Sequence, residues 1–128
     1  MSSTGRNQNR AVGAAIRQLV AAFLVANGHH VTAKPVPRRI SDSFETALDP
    51  DIEGIPGIHM EVSARLRPRL SETLDGAVRA AKINGDAIPV AVLHRPERDV
   101  AESYAICTLA DMSRLIHAVQ ASTSPRSS

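Results

Sequence analysis

Asp51-Ile52-Glu53-Gly54-Ile55-Pro56-Gly57-Ile58-His59-Met60-Glu61-Val62-Ser63 reads as a β-hairpin. Pro56-Gly57 suits the two central positions of a type II turn: proline presets the first φ and glycine accepts the positive second one. Residues alternate on either side, which predicts strands over 51–55 and 58–65. Alternate residues of a strand share a face. His59, Glu61, Ser63 and Arg65 therefore point one way, while Met60, Val62 and Ala64 point toward the core. The tight turn folds Glu61 back near Asp51. Two carboxylates that converge can bind a hard divalent cation through oxygen. Such a cation lowers the pKa of a bound water and stabilises charge on a phosphodiester.

Upstream, Val12, Ile16, Leu19, Val20 and Phe23 recur at helical spacing and Asn27-Gly28 supplies a stop. This predicts a first helix over about 9–27. A short strand over 29–34 follows. Pro35, Pro37 and Pro50 make 35–50 a long loop. Downstream, Ser71 is the expected N-cap of a second helix that runs to Asn84-Gly85. Leu70, Leu74, Ala77, Val78 and Ala81 form its buried stripe. The run Ile88 to Leu93 is apolar throughout, so 87–94 fits a central strand. Residues 95–101 are a charged turn, and Ser103 to Cys107 is the last strand. Thr108-x-x-Asp111 resembles a capping box opening a final helix. Its apolar stripe is Met112, Leu115, Ile116 and Val119. The expected order is α-β-β-β-α-β-β-α, an α/β fold with a mixed sheet flanked by helices.

Composition narrows the function. The chain has 128 residues, one domain's worth, with 43% hydrophobic residues, enough for a real core. The expected domain spans 9–120, between a flexible basic tail over 1–8 and a flexible tail over 121–128. Phe23, Phe44 and Tyr104 are the only aromatics, too few for a base-stacking platform. A lone Cys107 excludes a disulfide framework and any multi-cysteine metal site, and fits a small core residue. The longest apolar run, Leu19 to Ala26, is far short of the ~20 residues a bilayer needs. Arg17 and Gln18 interrupt any signal-peptide apolar region. A cytoplasmic protein is expected. Residues 1–48 carry a net charge of +4, with Arg10, Arg38 and Arg39 among them, and the remainder carries −2. A basic amino-terminal portion can meet phosphate; a plain solvated surface is the alternative. Arg65, Arg67 and Arg69 recur with period two, and Arg95 ends the apolar strand. These are the candidate DNA contacts, reading phosphate rather than base sequence.

From about Gly13 to Ile116 the chain resembles the PD-(D/E)XK nuclease superfamily. More closely, it looks like the small Holliday-junction-resolvase-like nucleases common in actinobacterial phages and their hosts. The resemblance rests on Asp51-Ile-x-Gly54-x-Pro56-Gly57, Glu61-Val62, the alanine-rich second helix, Leu93-His94-Arg95 and the last strand–helix pair. It implies a restriction-endonuclease-like core and a Mg²⁺- or Mn²⁺-dependent endonuclease. The implied substrate is DNA, branched junctions included, and the implied state is a homodimer. Asp51 and Glu61 match the metal-binding acids. The family's lysine, two residues beyond the glutamate, is Ser63 here, which carries no charge to stabilise a pentavalent phosphate. Arg17 stands near a position where the family carries a glutamate. Arg65 on the same strand, or Lys82 on the second helix, is the candidate replacement for the lysine.

Other readings stay open. Asp51 and Glu61 suit ordinary turn and strand chemistry. The chain can equally be a pseudo-nuclease that binds DNA without cutting, or an adaptor domain that keeps only the fold. His29 and His30 are adjacent on a strand, point apart, and make a poor ligand pair. His59 shares a face with Glu61, as a polar strand residue or as a third ligand.

Overall fold

A computed structural model describes residues 2–35, 49–63 and 69–123, with the side chains of 2–10 outside that description. The elements are α1 (Ser2–Ala26), β1 (Thr32–Ala33), β2 (Ile52–Glu53), β3 (Ile58–Ser63), α2 (Leu70–Ile83), β4 (Ile88–Leu93), a 3-10 turn (Val100–Glu102), β5 (Tyr104–Ile106) and α3 (Leu109–Thr123). Helices and strands follow the expected α-β-β-β-α-β-β-α order, in an α/β fold with a five-stranded mixed sheet.

The strands lie in chain order across the sheet. β1–β2 and β2–β3 pair antiparallel, with Ile52 opposite Met60. β3 and β4 pair parallel over their whole length, from Ile58↔Ile88 to Ser63↔Leu93, with α2 as the crossover a parallel pair requires. β5 closes the far edge antiparallel to β4.

The hairpin forms as its turn residues dictate. Ile58 N–H donates to Ile55 O at 3.2 Å across Pro56-Gly57, and Gly57 has φ +82°. Gly54 answers a second demand. Its φ is +102°, and a Cβ there would collide with the carbonyl oxygen of His30. Only glycine lets the hairpin lie this close to the chain entering β1.

Ile16, Val20 and Ala21 of α1 pack with Val31, Ile52, Val90 and Val92, and Ile58, Met60 and Val62 border this cluster. Met60 and Val62 thus face the core as their alternation predicts. Ala91 and Leu93 are also buried but lie outside that cluster, and α2 packs on β4 and β3 through Ala77, Ala80 and Ala81. The central strands are therefore covered on both faces, which also buries His59 and Ser63. Cys107 borders the core, as expected of a small apolar side chain.

Several boundaries and faces differ from expectation. α1 starts at Ser2 rather than near residue 9, because 2–10 contains no proline and a lone Gly5 weakens a helix by only about 1 kcal/mol. Residues 2–8, expected as a tail, therefore belong to α1, and 121–123 belong to α3. Strand pairing at 29–34 contracts to two residues. α2 starts two residues early, with Arg69 rather than Ser71 as its cap residue and no side-chain capping bond, so Ser71 lies inside the first turn. Leu70 is exposed, and Ala80 joins the buried stripe in its place. The stripe of α3 is the larger departure. Met112, Ile116 and Val119 are exposed, and the helix buries no residue. The loop over 36–48 lies outside the described residues. No helix among the described residues is long and apolar enough to cross a membrane.

Candidate functional site

Main-chain bonds on both sides pin Asp51. Its N–H donates to Met60 O at 2.9 Å, and its carbonyl accepts from Lys34 N–H at 2.8 Å. Asp51 is thereby stitched between β3 and the end of β1. Its carboxylate is oriented as well: Val62 N–H donates to Oδ2 at 2.8 Å. A carboxylate oxygen has taken a strand amide that a main-chain carbonyl normally satisfies. Among the described residues, that leaves Oδ1 without a backbone donor.

Glu61 lies on β3, on the face opposite Met60 and Val62, and meets Asp51 as the hairpin predicts. The two carboxyl groups lie near enough that the charge of one acts on the other. Burial above all, and next the negative charge of Asp51, push the Glu61 carboxyl up to about 8. Lys34 and Arg17 pull in the opposite direction with smaller effect. Glu61 thus holds its proton near neutral pH in the absence of a cation. His59, two residues back on the same face, places Nε2 2.8 Å from Glu61 Oε1. Burial lowers the His59 pKa, against the raising influence of Asp51 and Asp49. A neutral imidazole and a protonated carboxyl therefore share one hydrogen bond at neutral pH.

Two cations face Asp51. Lys34 Nζ lies 3.6 Å from Oδ1, and Arg17 Nη1 lies 3.9 Å from the same oxygen. Lys34 also donates to the carbonyl of Asp49 at 3.3 Å. α1 carries Arg17 to the site one residue after the buried Ile16, so the packing of α1 sets its position.

The site therefore assembles Asp51 and Glu61, as expected, and adds Arg17, Lys34 and His59. Arg17 stood out in the sequence only as a departure from a family pattern. Lys34 had a readable signal: it directly follows a short strand that pairs antiparallel with the hairpin's first strand, which sets it beside Asp51. Ser63 is buried at the end of β3 and brings no charge. Lys82 is exposed in the last turn of α2, and among the described residues the cations paired with Asp51 are Arg17 and Lys34. Arg65 lies outside the described residues.

The expected DNA contacts are scattered. Arg69 is exposed and pairs with Glu72 at 3.3 Å. Arg95 stacks over the Tyr104 ring, 4.6 Å from its centroid, an arrangement that tethers the turn to β5. Arg38, Arg39 and Arg67 lie outside the described residues, as does the side chain of Arg10. His29, His30 and His117 are exposed.

The donor set fits a magnesium-type ion. Among the described residues, no three His, Cys, Asp or Glu side chains group as a metal cage. Mg²⁺ does not need one, since it commonly takes one or two carboxylates and completes its shell with water and substrate phosphate. Two carboxyl groups brought near each other, one with its pKa pushed up, set an electrostatic demand of the kind a divalent cation satisfies. No protein-family model, curated protein or solved structure matches this chain.

Proposed function

We propose that this chain is a divalent-cation-dependent endonuclease of the Holliday-junction-resolvase-like kind, built on a restriction-endonuclease-like core and acting on DNA. One observation carries the reading. The hairpin brings Asp51 and Glu61 together in a buried place, where burial first and the charge of Asp51 second push the Glu61 carboxyl up to about 8. In this reading Asp51 and Glu61 hold Mg²⁺ or Mn²⁺. The bound ion would supply Lewis-acid stabilisation of phosphate charge and a more acidic water.

The chain's own residues do the rest. Val62 N–H fixes the Asp51 carboxylate, and His59 orients Glu61 through its Oε1. Lys34 supplies the positive charge that Ser63 cannot. DNA reaches the site by its backbone, with the exposed Arg69 among the phosphate contacts. A homodimer, with one site for each strand of a junction, belongs to the same proposal, and sedimentation velocity tests it.

A second reading is favoured by the two cations at Asp51. They already neutralise the carboxylate, so the same fold can bind DNA without cutting. Cleavage of a labelled four-way junction and a matched duplex, in Mg²⁺, Mn²⁺ or EDTA, separates the two when shifted complexes are recorded alongside. Metal-dependent cutting that Asp51→Ala and Glu61→Ala each abolish supports the nuclease. Binding without cutting supports the pseudo-nuclease. Neither binding nor cutting leaves an adaptor domain.

A further inference from the structure

Arg17 and Lys34 approach one carboxylate oxygen in an uncommon way. Both face Oδ1 of Asp51, the oxygen not engaged by Val62. Neither closes to hydrogen-bond length: 3.6 and 3.9 Å compare with the 2.7–2.9 Å of a formed charge-assisted bond. Both are therefore ion-paired with the oxygen rather than hydrogen-bonded to it, and Lys34 donates instead to the Asp49 carbonyl. Both side chains are mostly buried, at 20% and 15% exposure, so their charges are weakly screened. Arg17 is also left incomplete. Its Nε is buried and has no hydrogen-bond partner among the described residues, which costs free energy unless an acceptor arrives.

A structural salt bridge does not call for two cations on one oxygen and an orphaned guanidinium N–H. A phosphodiester does, because its two non-bridging oxygens accept several N–H donors at once and suit the planar guanidinium fork. Oδ1 is also the oxygen that a divalent cation would take. Two monovalent charges within 4 Å of it repel an incoming ion, so cation and side chains compete for the same place.

The geometry points to Arg17 and Lys34 as a phosphodiester-binding pair that guards Asp51 in the free protein and passes to the substrate phosphate when a divalent cation takes the carboxylate. This rests on the reading of Asp51 and Glu61 as the cation site. The pair then makes metal and DNA binding mutually reinforcing. The cation displaces the pair from Asp51, and the phosphate gives the pair a new partner. Metal alone binds weakly, because nothing receives the displaced charges.

The test uses the full chain with Arg17→Met and Lys34→Met, which keep length and remove charge, and Lys34→Arg, which keeps charge. Titration calorimetry with Mn²⁺ alone reads the competition. Fluorescence anisotropy of a labelled duplex in Ca²⁺ reads phosphate binding. Each Met variant is expected to bind Mn²⁺ about 3–10-fold tighter than wild type and DNA about 5–30-fold weaker, with a salt slope shallower by roughly one ion. Lys34→Arg is expected to track wild type in both. The opposite signs distinguish the pair from residues that merely support the fold, whose loss weakens both ligands together. Unchanged or weaker Mn²⁺ binding in both Met variants overturns the inference, as does unchanged DNA binding. If wild type binds Mn²⁺ while the variants gain nothing, the carboxylate reading stands and the guard falls. If Asp51→Ala and wild type bind Mn²⁺ equally, both fall.

Discussion

At the residue scale, Glu61 makes the chain sensitive to pH. Its folded pKa, about 8, is raised above the ordinary carboxyl value. A raised pKa means the folded state holds the proton more tightly than the unfolded one. The stabilising contribution is thus full below about 4.5 and is lost as pH rises through about 8. Glu61→Gln keeps a neutral side chain at every pH. It is expected to match wild type near pH 4.5 and to exceed it by roughly 1–2 kcal/mol above pH 8, read by urea denaturation across that range. A wild-type and variant difference that does not change with pH would remove burial as the cause. Gly54 sits under a different constraint. Gly54→Ala is expected to destabilise by at least ~2 kcal/mol, because it combines positive-φ strain with collision against His30 O. The same substitution at Gly57, where a Cβ meets nothing within 4 Å, pays the strain alone and is expected to lose about 1 kcal/mol. Equal losses at the two sites in the same denaturation series would contradict the close approach.

At the element scale, α3 is held by its ends and edges rather than by burial. Thr108 caps it: Asp111 N–H donates to Thr108 Oγ1 at 3.1 Å, and that hydroxyl donates to the Asp111 carboxylate at 2.9 Å. Arg114 ties the helix to the entry of β4 by donating to Asp86 O at 2.9 Å. Its apolar residues contribute little, with Ile116 and Val119 exposed. Thr108→Ala is therefore expected to cost about 1 kcal/mol, and Ile116→Ser less than about 0.5 kcal/mol. Thermal unfolding of the two variants side by side checks the order. The reverse order would mean that the α3 face is covered in solution. Periodicity alone predicted a buried stripe here. The pattern reports that a helix has an apolar face and says nothing of whether a partner surface lies beneath it. On α1 the same kind of pattern holds in part: Ile16 and Val20 reach the core, while Val12, Leu19 and Phe23 are exposed.

At the scale of the whole molecule, sheet and helix bring residues far apart in the chain to one point. Arg17 comes from α1, Lys34 from the end of β1, Asp51 from the approach to β2, and Glu61 from β3. The proposed cation and the proton on Glu61 exclude one another, so ion binding is expected to strengthen with pH. Mg²⁺ or Mn²⁺ at millimolar concentration is expected to raise Tm more at pH 8.5 than at pH 6, while Glu61→Gln loses most of that shift at both. A shift independent of pH, or one retained in the Gln variant, would place the ion elsewhere.

Local chemistry by itself determined the hairpin, the helices, their order and the meeting of Asp51 with Glu61. A Pro-Gly turn, period-two alternation, Asn-Gly stops and a Thr-x-x-Asp cap act over a few residues, so they can be read without knowing what packs where. Tertiary structure decided the rest. It brought Arg17 and Lys34 to Asp51, buried His59 against Glu61, raised the Glu61 pKa and left the α3 stripe uncovered. Each of these depends on which elements lie against one another and on how much water they exclude. Desolvation and the neighbourhood of distant charges belong to the packed molecule, and no spacing along the chain records them.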